Sequence, residues 1–113
     1  MKNRELDILL VEDDAADTSL ILNTLKKVNI CNGTHVLADG SEILDFLLRK
    51  GSYTGQAPLP VEVLILLSLN LTGMHGLDVL RKLKSDERTR SLPIIIMTSS
   101  QEERGVMQSY QLG

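Results

Sequence analysis

The sequence predicts a doubly wound α/β domain built on a parallel sheet. Two patterns carry the prediction. Compact apolar runs of mostly branched residues recur four times in the 113 residues, without the in-out alternation of a strand that has one wet face. Between them lie segments whose apolar residues recur every three to four positions, the spacing of an amphipathic helix. Such an alternation implies parallel strands joined by right-handed crossovers, with helices over both faces of an open sheet.

The first strand is Leu6 to Val11, which stops at Glu12-Asp13-Asp14. From Ala15 to Val28, Leu20/Ile21, Leu25 and Val28 mark a helix, with Asp13 or Asp14 as its cap. A break from Asn29 to Gly33 leads to a second strand, Thr34 to Ala38, and to a helix over Ser41 to Lys50 with Ile43, Leu44, Leu47 and Leu48 on one face. Gly51 to Pro60 contains Gly51, Gly55, Pro58 and Pro60 and reads as an exposed loop. Val61 to Leu67 is the third strand, Gly73 to Gly76 turns the chain, and Leu77, Leu80 and Leu83 line the next helix. Leu92 to Met97 is the fourth strand. Ser99 or Ser100, followed three residues later by Glu102 or Glu103, then opens a last helix through a capping box.

Composition bounds the function. Hydrophobic residues make up 42% and charged residues 24%, a globular profile that fits one domain over residues 1–113. The net charge of -3 and the scattered basic residues argue against nucleic-acid binding. The single Cys31 has no partner for a disulfide or a zinc site. The longest apolar stretch, Val63 to Leu71, is interrupted by Ser68 and Asn70 and falls well short of the roughly 20 residues that span a bilayer. The run Ile8 to Val11 is too short for a signal peptide. Neither a membrane partner nor export is expected, and a reducing cytoplasm is the expected compartment.

In a sheet of this kind ligands bind outside the carboxyl ends of the strands, near the point where strand order reverses. Glu12 and Asp13 end the first strand, Ser68 and Asn70 the third, Thr98 and Ser99 the fourth. Adjacent carboxylates there repel one another unless a hard divalent cation with oxygen ligands joins them, and magnesium (Mg²⁺) is the obvious one. The plainer alternative is that Glu12, Asp13 and Asp14 only cap a helix and face water.

Three stretches together resemble the receiver domain of bacterial two-component response regulators: Ile8-Leu9-Leu10-Val11-Glu12-Asp13-Asp14, Leu64 through Leu77, and Pro93-Ile94-Ile95-Ile96-Met97-Thr98-Ser99. The resemblance runs in register from about Leu6 to Gly113, and the Gly51 to Pro60 loop and Asp17 are similar to a single-domain subgroup that partners phytochromes. It implies a flavodoxin-like sheet of order 2-1-3-4 and a sensor histidine kinase as partner, phytochrome-like within that subgroup. In the family an aspartate at the end of the third strand takes a phosphoryl group from a kinase histidine. Magnesium is held there by that aspartate, two upstream acids and a backbone carbonyl. Glu12 and Asp13 match the upstream acids and the carbonyl of Asn70 the last ligand. Thr98, which follows Ser68 by 30 residues, matches the switch hydroxyl.

The acceptor position itself holds Ser68. A serine forms no acyl phosphate and supplies no anionic metal ligand, so a receiver unable to accept phosphate in this form is expected. A phosphorylation-independent pseudo-receiver, acting as a protein-interaction module, is the alternative. A serine phosphoester would need Glu12 or Asp13 as base, residues that metal would occupy. A hydrolytic enzyme using Ser68 is remoter still, because no Gly-x-Ser-x-Gly elbow is present and neither histidine is placed as a base. The expectation is therefore a non-enzymatic signalling module.

The family continues after Leu112-Gly113 with a strand bearing a lysine, and then a helix; the chain is accordingly read as a receiver truncated at its C-terminus. That reading exposes the fourth strand as a sheet edge and suggests a homodimer through it. Thr72 stands where the family favours proline, and His75 where it often has an acid. His75 reads as an exposed loop histidine, and His35, within a short strand, supports no functional claim. Tyr110 on the last helix is a candidate partner-surface residue, with half-buried packing as the plainer reading.

Overall fold

The computed structural model describes residues 6–28, 33–57, 62–69, 71 and 74–97; Cys31, Asn70, Thr98, Tyr110 and the expected last helix lie outside them. The elements are β1 (Leu6–Val11), α1 (Ala15–Val28), β2 (Gly33–Leu37), α2 (Ile43–Leu48), β3 (Glu62–Ser68), α3 (Gly76–Lys84) and β4 (Ile94–Met97), with short 3-10 turns at Gly40–Glu42 and Gly51–Tyr53. All strand pairs are parallel and the order is β2-β1-β3-β4.

Alternate strand residues serve opposite faces. Leu9, Val11, Ile65 and Leu67 point to one side, where Ile43 and Phe46 of α2 and Val79, Leu80 and Leu83 of α3 close the larger core. Ile8, Leu10 and Leu66 point to the other, against Ile21, Leu22 and Leu25 of α1. A fully buried aliphatic side chain contributes about 1.5–3 kcal/mol. On α3 Leu77, Val79, Leu80 and Leu83 are all buried, whereas no residue of α1 is. The two faces are therefore held with unequal strength.

The expected helix over Ser41 to Lys50 is divided. Asp39 accepts hydrogen bonds from both the backbone N–H and the hydroxyl of Ser41, at 2.9 and 2.8 Å, and its carbonyl accepts from Glu42 N at 3.2 Å. These bonds close a tight 3-10 turn before α2 begins. Helix α2 then stops at Arg49, which adopts the left-handed conformation at φ 54°. The Arg49 side chain offsets that strain. It donates to the carbonyls of Ala57 (3.0 Å) and Phe46 (3.1 Å), and its guanidinium lies 4.8 Å from the Phe46 ring centre. The expected exposed loop is thus partly ordered: Tyr53 packs edge-on to Phe46 and donates its hydroxyl to Glu42 at 2.7 Å.

The turn after α3 is built on Thr89, whose buried hydroxyl donates to the carbonyl of Leu83 at 2.7 Å. Beside it, Asp86 accepts from the Arg88 backbone N–H and from guanidinium Nε and Nη2 at 2.8 to 3.0 Å. Those bonds, the side-chain ones foremost, hold the Asp86 carboxyl down at about 2. Gly76, at the start of α3, has no room for a side chain. A Cβ there would lie 2.5 Å from the Leu69 Cα and closer still to the Ser68 carbonyl oxygen.

Two outcomes follow. Gly76→Ala forces backbone apart and costs about 1–3 kcal/mol, read as a lowered urea midpoint. Because the folded-state value of Asp86 is depressed, its contribution to stability is complete above 3.8 and is lost as pH falls toward about 2. Asp86→Asn removes that step, so the melting temperature of the variant changes less across this interval than that of the parent chain.

Candidate functional site

Helix α1 packs on one face of the sheet and α3 on the other, so the loops leaving β1 and β3 part company and open a crevice at the strand ends. Register decides what stands in it. Val11 is paired with both Leu37 and Leu67, so the next residues along β1 and β3, Glu12 and Ser68, are neighbours. Ser68 in turn pairs with Met97 of β4, and Leu69 N donates to the Met97 carbonyl at 3.3 Å.

The three acids after β1 have different fates. Glu12 continues the ladder, donating its N–H to the Leu37 carbonyl at 3.1 Å, and is only 6% exposed. Burial pushes its carboxyl above the usual glutamate range, and the charges of Asp17 and Asp13 push it the same way. Hydrogen bonds from the Asp14 N–H and the Ser68 hydroxyl oppose the shift. Asp13 is half-buried. Asp14 is exposed and does what a helix cap does: its carboxylate accepts from Asp17 N at 2.8 Å and its carbonyl from the Thr18 hydroxyl at 2.8 Å. Capping therefore accounts for Asp14 and not for Glu12, which is withdrawn from water.

Ser68 is the last residue of β3, 6% exposed, with its hydroxyl turned to Glu12. The structure thus brings together Glu12 and Ser68, and Asp13 follows Glu12 directly. Asn70 and Thr98 fall outside the described residues, as does Tyr110. Among the described residues no three His, Cys, Asp or Glu side chains converge as a metal cluster. Among the described residues, the side chains offered at this point are two carboxylates and a hydroxyl.

The two histidines lie where expected, His75 exposed in the loop before α3 and His35 within β2, but each makes a contact that the sequence did not announce. His75 is exposed but is not a bystander in a loop: its Nδ1 accepts from Leu77 N at 3.1 Å and caps α3. His35 lies 2.7 Å from the carboxylate of Asp7, buried near the start of β1, a partner 28 residues away in sequence that no local pattern announces. That pair sits away from the carboxyl edge. A separate cleft of about 410 Å³ opens between α2 and the turn after α3, beside Leu44, Lys82 and Asp86, whose carboxylate is already engaged by Arg88.

Comparison with known proteins agrees with this geometry. The family model described as the response regulator receiver domain matches residues 8–113. Response regulator Rcp1 of Synechocystis sp. is 37% identical over 105 residues, which are 93% of this chain and 69% of Rcp1. The solved structure of the bacteriophytochrome response regulator AtBRR superposes with a TM-score of 0.80 at 39% identity, covering 100% of this chain and 79% of AtBRR. The Mn(2+)-bound form of Rcp1 gives a TM-score of 0.80 at 38% identity over 94% of this chain and 74% of that one. With the parallel order β2-β1-β3-β4, an acidic pocket at the switch point and a family match that spans nearly the whole sequence, the chain belongs to the response regulator receiver domains of two-component signalling.

Proposed function

We propose that this receiver is silent toward phosphoryl transfer: Ser68 occupies the acceptor position and does not take a phosphoryl group from a histidine kinase. The observation that carries the reading is the buried Ser68 hydroxyl beside the Glu12 carboxylate, at the end of the strand next to β1. Acyl phosphate formation needs a carboxylate oxygen as nucleophile, and serine has none. The same hydrogen bond is what favours a second reading, a serine phosphoester with Glu12 taking the hydroxyl proton. That route loses its base whenever a cation holds Glu12.

A hard divalent cation suits the donors present. Glu12 and Asp13 are oxygen ligands, and a buried carboxylate whose ionised form is disfavoured by desolvation and by acidic neighbours gains from a positive charge. When bound, magnesium would supply charge neutralisation for an incoming phosphoryl group. Ser68 contributes a neutral hydroxyl where the family has a third anionic ligand, so binding is weaker than in a complete receiver. The carbonyl of Asn70 as a further ligand, Thr98 as the switch hydroxyl and Tyr110 at the partner surface belong to the same proposal and rest on the sequence.

The partner is a sensor histidine kinase of phytochrome type in the cytoplasm, a reading supported by the phytochrome-associated names of similar regulators. Receiver domains are in general signalling modules rather than enzymes. Among the described residues no helix is long and apolar enough to cross a membrane, and the net charge of -3 speaks against a nucleic-acid partner. Ile95 of β4, the outermost of the described strands, is 51% exposed, which supports pairing with a second copy along that strand.

Intact-mass spectrometry after incubation with acetyl phosphate and magnesium tests the central reading. The parent chain shows no added mass, and Ser68→Asp, in a chain extended through the family's fifth strand and helix, gains a phosphoryl group that hydroxylamine removes. A hydroxylamine-stable phosphoryl group on the parent chain would instead make serine the acceptor.

A further inference from the structure

We propose that His75 is a positioning residue for the Ser68 pocket, acting through the first turn of α3. This rests on the reading of the pocket as a cation site. A helix begins with backbone N–H groups that have no partner within it. In α3 three of them are engaged. Gly76 N donates to the Leu69 carbonyl at 3.2 Å, Leu77 N to His75 Nδ1 at 3.1 Å and Asp78 N to the His75 carbonyl at 2.9 Å, which also accepts the first bond of the helix proper from Val79 N at 3.1 Å. His75 therefore closes two of the three, one of them through its ring. An Nδ1 that accepts carries no hydrogen, so the ring is in the tautomer with its proton on Nε2.

The third bond is the link to the pocket. It ties α3 to Leu69, one residue beyond Ser68, and the same Gly76 packs so closely on the Ser68 carbonyl and the Leu69 Cα that a Cβ would not fit. A shift in the start of α3 is thereby passed to the peptide that carries Ser68, whose hydroxyl meets Glu12. Histidine is not among the usual capping residues, and an asparagine carboxamide oxygen reaches the same N–H groups. Asp78 is already paired with Arg81 at 2.8 Å, leaving the imidazole as the ring that closes the cap.

The test uses Mn²⁺ as the probe, followed by electron paramagnetic resonance, in Ser68→Asp and in the same variant carrying His75→Ala or His75→Asn. Protection of the Gly76 and Leu77 amides is followed alongside. His75→Ala is expected to weaken Mn²⁺ binding on the order of 10-fold, as loss of an outer support of a metal site does, and His75→Asn to restore both binding and protection. Equal Mn²⁺ affinity in the folded His75→Ala variant overturns the proposal. If Ser68→Asp itself binds no Mn²⁺, the cation reading of the pocket falls, and the positioning role is decided in the parent chain by nuclear magnetic resonance. There, a Leu69 amide shift and Gly76 protection that change with alanine and return with asparagine uphold it, and values unchanged by alanine overturn it.

Discussion

The pairing of Val11 with Leu67 across two central parallel strands is the constraint on which the rest of the pocket depends. Because that register is fixed by apolar residues buried on both faces, the first polar residue after each strand has no choice of position. Glu12 is carried into a buried place by the strand that precedes it, and its backbone N–H is already committed to the Leu37 carbonyl. A carboxylate held there by its neighbours' packing retains its desolvation whatever its own preference. The resulting unease of the charge is a product of the hydrophobic sheet rather than of any local motif.

On the proposed reading of Ser68 as the acceptor position, a serine there changes what that pocket can balance. An aspartate beside Glu12 and Asp13 would add a third negative charge, which only a cation could make tolerable. A serine adds a donor, and its hydroxyl satisfies part of the Glu12 oxygen without any ion. The hydroxyl thus lessens the electrostatic strain on Glu12 that a third acid would add.

Much of this was legible in the sequence, and the exceptions have physical causes. The four strands and the α1 and α3 helices follow from periodicity, and the end of β3 was displaced only by one residue, from Leu67 to Ser68. Leu77, Leu80 and Leu83 were named as one face and are buried together. Spacing alone does not separate Glu12, Asp13 and Asp14, because which acid is buried depends on pairing with a strand some fifty residues away; the family resemblance singled out Glu12 and Asp13. The division before α2 was missed because Asp39 competes for backbone N–H groups ahead of the apolar pattern. The cap by His75 escaped because imidazole seldom serves in that way, and the Asp7–His35 contact because it joins two strands. Phe46, buried among Ile43 and the sheet residues, went unnamed although it organises Arg49 and Tyr53 around it.

The absence of any fully buried residue on α1 has a consequence for how the acidic tract moves. Glu12 is fastened to the centre of the sheet, while Asp14 belongs to a helix attached through half-buried Ile21, Leu22 and Leu25. Local opening events in a domain are ordered by how much apolar contact each must give up, so α1 lies at the inexpensive end of that scale and β1 at the other. The hydrogen bond from the Asp14 N–H to the Glu12 carboxylate, 3.2 Å, is the tie across which a loosening of the helix would reach the carboxylate beside Ser68.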